Sequence, residues 1–279
     1  MVKLLVALDE GAQCNDRVLL YTIKSRQKQL KIYPMRRLTH KMERSLLKEM
    51  LEEYALNDED KEYLKTHFER FGIMLDKLED LLKNGYSIAN IGLSIFDPVV
   101  NYMAQKVGAT YFCIIPNKDY LEHFHNSLYE NIKIIEFDLK ENSIPDEIMG
   151  KFDIVMFLET IEHIPYSDEL ILKSVASMIK KGGTLVFSVP NTVEVGKRIR
   201  TLIGKNPYWT KDKIIKGVYG GFGHIREYTL SEIEPLLKPY FNIKKIEKLN
   251  PYGSERRRLL LNMLPKTWAI HIYCECIKK

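Results

Sequence analysis

Two features are scarce in this sequence: paired cysteines and long apolar runs. Four of the 279 residues are cysteines, and none of them forms a CxxC motif. No disulfide framework is therefore predicted, which favours a reducing compartment. No apolar run reaches the roughly 20 residues that a membrane-spanning helix needs, so the sequence predicts no transmembrane segment.

The start of the sequence also lacks the features of a secretory signal. The apolar opening MVKLLVALDEG is short, closes at Asp9 and Glu10, and has no small-residue cleavage pattern. We therefore expect a cytoplasmic protein, whose contact with a membrane would be peripheral.

The sequence also has no large excess of positive or negative charge. The chain has 42 basic and 37 acidic residues, a net charge of +5, and no polybasic tail. Such a balance permits an anionic substrate without requiring one. Because no basic stripe is interleaved with aromatic residues, nucleic acid is not an expected partner.

The pattern of apolar residues divides the chain into two regions. Residues 1–84 are expected to form an N-terminal helical extension. One helix is predicted over 38–54 and a clearer one over 64–82, where apolar side chains recur every three or four residues. A single apolar stripe needs a partner surface, so these helices are expected to pack over the sheet described next or to form a homodimer contact. The clearer stripe comprises Leu64, Phe68, Phe71, Leu75, Leu78 and Leu82.

From Tyr86 onward, short apolar runs of strand length alternate with helical stretches. This pattern predicts an α/β fold with a mostly parallel sheet that is covered on both faces. The last two runs have no long helix between them, which favours an antiparallel pair at the edge. In such a sheet, ligands bind at the carboxyl ends of the strands. The seven runs are SIANIGL, TYFCII, IKIIEF, FDIVMFL, TLVFSVP, FNIKKIEKL and WAIHIYCECI.

Segment 151–191, KFDIVMFLETIEHIPYSDELILKSVASMIKKGGTLVFSVPN, resembles class I methyltransferases. The later segment GHIREYTLSEIEPLL (223–237) extends the resemblance, and with RIRTLIGKNPYW it is similar to methyltransferases of polysaccharide and O-antigen biosynthesis. The resemblance implies a Rossmann-like, seven-stranded methyltransferase sheet, mostly parallel with its last strand antiparallel. The domain would span 85–279, with a substrate lid at 192–228.

The resemblance also implies S-adenosylmethionine as the methyl donor. The family's first loop is rich in glycine, whereas the loop here, NIGLSIFDP (90–98), has one glycine, a small serine and a bulky phenylalanine. A second interpretation therefore stays open, in which the chain is a scaffold that has lost the cofactor. The cofactor-binding residues implied by position are Asn90, Gly92, Ser94, Asn117, Asp138, Leu139 and Phe157, with Asp138 on the adenine amino group.

The string ETIEH predicts a helix that carries Glu159, Glu162 and His163 on one face, and His224 comes from the lid. Two carboxylates and two imidazoles can bind a divalent cation. The arrangement resembles the Mg²⁺ site of small-RNA 2′-O-methyltransferases and of ubiquinone-biosynthesis O-methyltransferases, which implies Mg²⁺ or Mn²⁺ here. Alternatively, Glu162 and His163 only cap and pack the helix start. Without a metal, His163 or His224 is the candidate general base, and Glu159 completes the candidate catalytic set.

Together these features predict an S-adenosylmethionine-dependent O-methyltransferase acting on a sugar hydroxyl of a glycan or of a lipid- or nucleotide-linked precursor. An RNA 2′-hydroxyl or a quinone precursor is the alternative acceptor. The basic run 256–258, followed by LLLNML, has two interpretations as well. It would either rest on anionic lipid or form a solvated helix face whose leucines point to the core.

Overall fold

The computed structural model describes residues 20–21, 47–49, 51–52, 58–117, 119, 121, 132–141, 143–216 and 223–279. In this part of the chain, all seven predicted apolar runs form strands, and a two-residue strand is added at one edge. The strands are β1 (Leu20–Tyr21), β2 (Ser87–Ile91), β3 (Thr110–Ile115), β4 (Lys133–Glu136), β5 (Phe152–Leu158), β6 (Ile179–Pro190), β7 (Phe241–Leu249) and β8 (His271–Lys278).

The strands form one mixed sheet in the order β1-β4-β3-β2-β5-β6-β8-β7. Strands β2 to β6 are parallel to one another, whereas β8 runs antiparallel to both β6 and β7. The predicted Rossmann-like sheet with an antiparallel last strand is thus confirmed. Strand order reverses between β2 and β5, and the crevice outside the carboxyl ends of these two strands is where such sheets bind ligands.

Helices cover the sheet on both faces, and each face buries its own apolar layer. Helices α1 and α2 pack on one face, and α3 and α6 pack on the other. Of the described helices, none is long and apolar enough to cross a membrane. The helices are α1 (Asp58–Glu79), α2 (Asp97–Lys106), α3 (Asp168–Met178), α4 (Val195–Leu202), α5 (Lys211–Lys216), α6 (Leu230–Leu237) and α7 (Glu255–Met263).

Helix α1 is the helix predicted from the clearer apolar stripe, and it packs on the sheet through that stripe. Phe71, Leu75 and Leu78 are buried in the same core as the strands. The residues that define the stripe of the earlier predicted helix, over 38–54, lie outside the described residues. The division of the chain at residues 84 and 85 stays a prediction.

One local prediction is wrong: no helix begins at Glu159. This residue has a φ of 50°, a left-handed conformation that cannot start a right-handed helix. The chain turns there and makes only a short 3₁₀ turn, Ile161–His163. Glu159 and Glu162 therefore do not share a helix face.

Candidate functional site

A cavity of about 630 Å³ opens at the carboxyl ends of β2 and β5. Gly92 and Thr160, which follow these two strands, lie on its floor, and residues of α1 form one wall. Segment 192–228, predicted as a substrate lid, contributes Lys197, Trp209 and His224 to the lining. The cavity therefore joins the first loop, the ETIEH segment and the lid, three parts that the sequence singled out.

Gly92 makes the turn that opens this cavity at the end of β2. Its φ is 102°, a conformation that suits glycine. Its N–H donates to the carbonyl of Ile114 at 2.8 Å, which ties the turn to β3. Among the described residues, the nearest atom that a Cβ built on Gly92 would meet is Oγ1 of Thr160, at 4.0 Å. The backbone is thus open to a ligand at this turn.

A buried carboxylate, Asp97, replaces the missing glycines as the support of the loop. Its Oδ2 accepts hydrogen bonds from the N–H of Ser94 at 2.6 Å and from the Ser94 hydroxyl at 3.0 Å. Its Oδ1 accepts from Nδ2 of Asn90 at 2.8 Å and from the Tyr111 hydroxyl at 2.6 Å. Burial raises the pKa of Asp97, and the hydrogen bonds from Tyr111, Cys113 and Ser94 oppose the rise. The loop is held by side chains rather than by a glycine-rich backbone.

The bulky residue of the loop, Phe96, is part of the core. Its ring stacks on Phe71 of α1, with centroids 4.8 Å apart and planes at 14°, and its side chain is only 4% exposed. The stack attaches the N-terminal helix to the first loop. A residue that departs from the family's pattern thus has a packing role that local sequence does not reveal.

Three of the four predicted metal ligands come together beside the cavity. The ligand atoms of Glu162, His163 and His224 lie within 4.8 Å of one another, and the two imidazole centroids are 5.0 Å apart. His224 is brought there by the backbone, because the carbonyl of Glu162 accepts the N–H of Ile225 at 2.8 Å. Lid and 3₁₀ turn are therefore joined at the cluster.

Glu162 is the most unusual member of this cluster. Its side chain is buried, and neither carboxylate oxygen has a hydrogen-bond partner in the described part of the chain. Burial, with the negative charge of Glu159 nearby, raises its pKa well above the ordinary value. An unpaired buried carboxyl group costs stability unless it has another role.

The carboxylate of Glu227 orients the His224 ring. Its Nδ1–H donates to Oε1 of Glu227 at 2.9 Å, and the other oxygen of Glu227 forms an ion pair with Lys197. Trp209 stacks on the imidazole, with centroids 4.5 Å apart and planes at 13°. Burial, followed by the charge of His163, lowers the pKa of His224 to about 3, so the ring is neutral at physiological pH.

Glu159, the fourth predicted ligand, lies against a different set of groups. Its Oε2 is 2.6 Å from Nδ1 of His271 and 3.4 Å from Nη1 of Arg70. Burial raises the pKa of Glu159, but these two groups outweigh it and lower the pKa below the ordinary value. The contacts continue from Nε2 of His271 to the Tyr252 hydroxyl, 3.2 Å, and from there to Nδ1 of His67, 2.9 Å.

The predicted cofactor residues divide into two groups. Asn90, Gly92 and Ser94 line the cavity. Within the described residues, the other four are not in its lining. Phe157 and Leu139 are buried in the core of the opposite face, and Asn117 is exposed after β3. The carboxylate of Asp138 pairs with Lys140 at 3.1 Å, and its contact with adenine stays a prediction.

Sequence reasoning missed several polar residues of the cavity, among them His67, Arg70, Tyr252 and His271. His67 and Arg70 lie on α1, and the prediction of this helix considered only the apolar stripe on another of its faces. Tyr252 and His271 flank α7 and reach the cavity only because β8 inserts between β6 and β7. The sequence offers one signal for this part of the site, which is a histidine, His271, at the start of a buried strand.

The fold is similar to that of solved structures, several of which are described as methyltransferases. One from Thermotoga maritima, described as a possible histamine N-methyltransferase, has a TM-score of 0.52 and 15% identity over 84% of this chain and 100% of that one. One from Archaeoglobus fulgidus has a TM-score of 0.48 and 17% identity over 74% and 92% of the two chains. No curated protein matches the chain.

The family is shown by a match in sequence. Residues 71–240 match the model of the methyltransferase domain family, which is more than half of the chain. The match spans the first loop, the ETIEH segment and the lid. The chain belongs to this family and is an S-adenosylmethionine-dependent methyltransferase.

Proposed function

We propose that the chain methylates a hydroxyl oxygen of a sugar, in a glycan or in a lipid- or nucleotide-linked glycan precursor. One observation carries the proposal: the Glu162–His163–His224 cluster adjoins the cavity that contains the Gly92 turn. A hydroxyl must lose its proton to attack a methyl group, whereas a neutral amine already has a free lone pair. A cluster of groups that can bind a metal ion, with the His163 imidazole as a candidate base, therefore favours an oxygen acceptor.

S-adenosylmethionine supplies an electrophilic methyl group on its sulfonium sulfur. The open backbone at Gly92, supported by Asn90 and Ser94, would hold it against the end of β2. We expect Thr160, whose hydroxyl donates to the Leu158 carbonyl at 2.9 Å, to keep the neighbouring turn of β5 in place. Both turns lie on the floor of the cavity, so cofactor and acceptor would meet between them.

The cluster fits a divalent cation by the chemistry of its donors. One carboxylate and two imidazoles can bind a divalent transition-metal cation such as Mn²⁺, and among the described residues the Glu162 oxygens have no hydrogen-bond partner to give up. Because Glu227 occupies Nδ1 of His224, the Nε2 atom is the one left for a ligand bond. A cation held here would lower the pKa of an acceptor hydroxyl and orient a neighbouring hydroxyl of a diol.

The rest of the cavity suits a sugar. Trp209 presents an aromatic face at the lid and is 39% exposed, and the apolar face of a sugar ring stacks on such rings. Lys197 and His67 lie in the lining and offer hydrogen-bonding groups to hydroxyls. Burial lowers the pKa of Lys197 to about 8, so this amine is charged at neutral pH and can also meet a phosphate.

Calorimetric titration with S-adenosylhomocysteine tests the cofactor site. Gly92→Ala places a side chain at a positive φ on the cavity floor and is expected to weaken binding at least about tenfold. Gly182→Ala is the matched control, since its φ of 76° is equally unfavourable but lies outside the cavity lining. Equal losses of S-adenosylhomocysteine affinity in both variants, or no binding of it by the parent, would contradict the proposal.

The acceptor is tested by transfer of a labelled methyl group from S-adenosylmethionine. Nucleotide-linked and lipid-linked sugars, an RNA duplex with free 2′-hydroxyls and a catechol are offered in parallel. We expect label on the sugars, lost on adding a chelator and regained with Mn²⁺. If only the catechol or the RNA acquires label, that molecule is the acceptor and the sugar is not. If the chelator does not change the activity, His163 is left as the base.

A further inference from the structure

Exposed apolar side chains are concentrated in two short segments that adjoin residues of the cavity lining. Nine of the fourteen exposed large hydrophobic side chains of the described residues lie in segments 199–215 and 259–263. Leu202 is 85% exposed and Met263 is 81% exposed. We call these nine side chains the apolar rim: Ile199, Leu202, Ile203, Tyr208, Trp209, Ile215, Leu259, Leu260 and Met263.

Both segments of the apolar rim begin next to residues of the cavity. Helix α4 starts between the cavity residues Glu194 and Lys197, and Trp209 lines the cavity itself. Helix α7 lies between the cavity residues Tyr252 and Ile270. Both elements therefore adjoin the cavity lining, and a surface that covered them would lie beside the cavity.

Helix α4 of the first segment also contacts the turn that follows helix α7 of the second segment. The guanidinium of Arg198 on α4 lies 5.0 Å from the ring centroid of Trp268. Arg198 also donates to the carbonyl of Thr267 at 3.5 Å. Both partners belong to the 3₁₀ turn, Lys266–Trp268, that follows α7. The rim is one neighbourhood rather than two separate patches.

Two of the three consecutive leucines of α7 do not face the core. Of the three consecutive leucines, Leu261 is buried at 7% exposure, whereas Leu259 and Leu260 are 61% and 65% exposed. The interpretation of this helix as a solvated face with its leucines turned inward is therefore wrong for two of the three. The cost of exposing them indicates that a partner covers them.

Positive charge surrounds the rim. Residues 195–216 and 255–266 together contain eleven basic and two acidic residues, against 42 and 37 in the whole chain. The rest of the chain consequently has more acidic than basic residues. A second copy of this chain would bring like charges together on such a surface, which opposes association. An anionic surface is complementary to it.

We propose that the apolar rim docks the protein on an anionic lipid bilayer with the cavity facing the membrane. Short helices that combine apolar and basic side chains bind in the plane of the interface. Tyr208 and Trp209 have the amphipathic rings that favour the headgroup level. The rim gives a lipid-borne acceptor direct access to the cavity, and this last step alone rests on the proposed function.

The full-length protein is tested on vesicles of phosphatidylcholine with and without phosphatidylglycerol. The only two tryptophans, Trp209 and Trp268, lie in or beside the rim, so their emission reports docking directly. We expect a blue shift and flotation with the anionic vesicles, both reversed by high salt, and little of either with pure phosphatidylcholine. No binding to anionic vesicles, or equal binding to both, would overturn the proposal.

Variants separate the rim from general hydrophobicity. Leu202→Ser, Leu260→Ser and Met263→Ser combined are expected to lower vesicle affinity at least about tenfold. Leu170→Ser on α3, which is 42% exposed away from the rim, is the control and should bind as the parent does. Light scattering that shows a dimer abolished by the triple variant, without vesicle binding, would assign the rim to a second copy instead. S-adenosylhomocysteine affinity, measured in the same variants, is expected to stay unchanged and tests the proposed function separately.

Discussion

Glu159 and Glu162 lie three residues apart, yet Glu159 contacts Arg70 and His271 while Glu162 has no hydrogen-bond partner in the described part of the chain. The left-handed turn at Glu159 separates them, because it sends one side chain toward α1 and β8 and the other toward the lid. Two carboxyl groups of one short motif thereby acquire different chemical environments. The following predictions depend on that difference.

The first prediction concerns Glu162→Gln. Because the Glu162 carboxyl group has no hydrogen-bond partner among the described residues, the amide should change the free energy of unfolding by less than about 1 kcal/mol, while Mn²⁺ affinity falls by about 100-fold. Electron paramagnetic resonance of free Mn²⁺ and urea unfolding measure the two quantities. Glu275→Gln, in a buried carboxylate on β8 that accepts from Tyr273, is the control with unchanged Mn²⁺ affinity. A large loss of stability with Mn²⁺ affinity retained would make Glu162 a packing residue.

Glu227 is expected to act as a positioning residue for His224. Glu227→Gln keeps an acceptor for Nδ1–H but loses the ion pair with Lys197, so Mn²⁺ affinity should fall about tenfold. Glu227→Asp, which keeps the charge, should recover part of it. Glu232→Gln is the control, since that carboxylate caps α6 and pairs with Arg226. Unchanged Mn²⁺ affinity in Glu227→Gln would contradict the role.

Asp97→Asn tests the support of the first loop. An amide nitrogen would face either the N–H of Ser94 or Nδ2 of Asn90, and one donor would be left unpaired. We expect a loss of about 1–3 kcal/mol of unfolding free energy together with weaker S-adenosylhomocysteine binding. Asp168→Asn, at a carboxylate that accepts from Tyr228, should lower stability without changing that affinity. Equal affinities in the two variants would show that the Asp97 network does not serve the cofactor loop.

The pH dependence of stability tests His67. Burial, with the charge of Arg70, lowers its pKa from 6.5 to about 3 in the folded protein. Between these values the unfolded chain binds a proton that the folded protein does not. Stability is therefore lost as the pH falls below 6.5, by at most about 1.4 kcal/mol per pH unit. His67→Gln should flatten the acid limb of urea-unfolding free energy against pH, and an unchanged slope would contradict the assignment.

The strands could be predicted from sequence because near-continuous apolar runs such as FDIVMFL are buried on both faces of a parallel sheet. The site could be predicted only in part. The spacing of Glu162 and His163 made them neighbours, whereas His224 depends on the hydrogen bond between Ile225 and the Glu162 carbonyl. Arg70 and His271 are 201 positions apart in sequence, and only the packing of α1 against the sheet brings them to Glu159.

The central claim is that cofactor and acceptor-activating groups share one cavity. The most direct measurement is an anomalous difference map from crystals grown with Mn²⁺ and S-adenosylhomocysteine. We predict a manganese peak within about 2.5 Å of Glu162, His163 and His224, with the sulfur of the cofactor in the same cavity beside Gly92. A manganese ion bound elsewhere, or S-adenosylhomocysteine bound outside this cavity, would contradict the account.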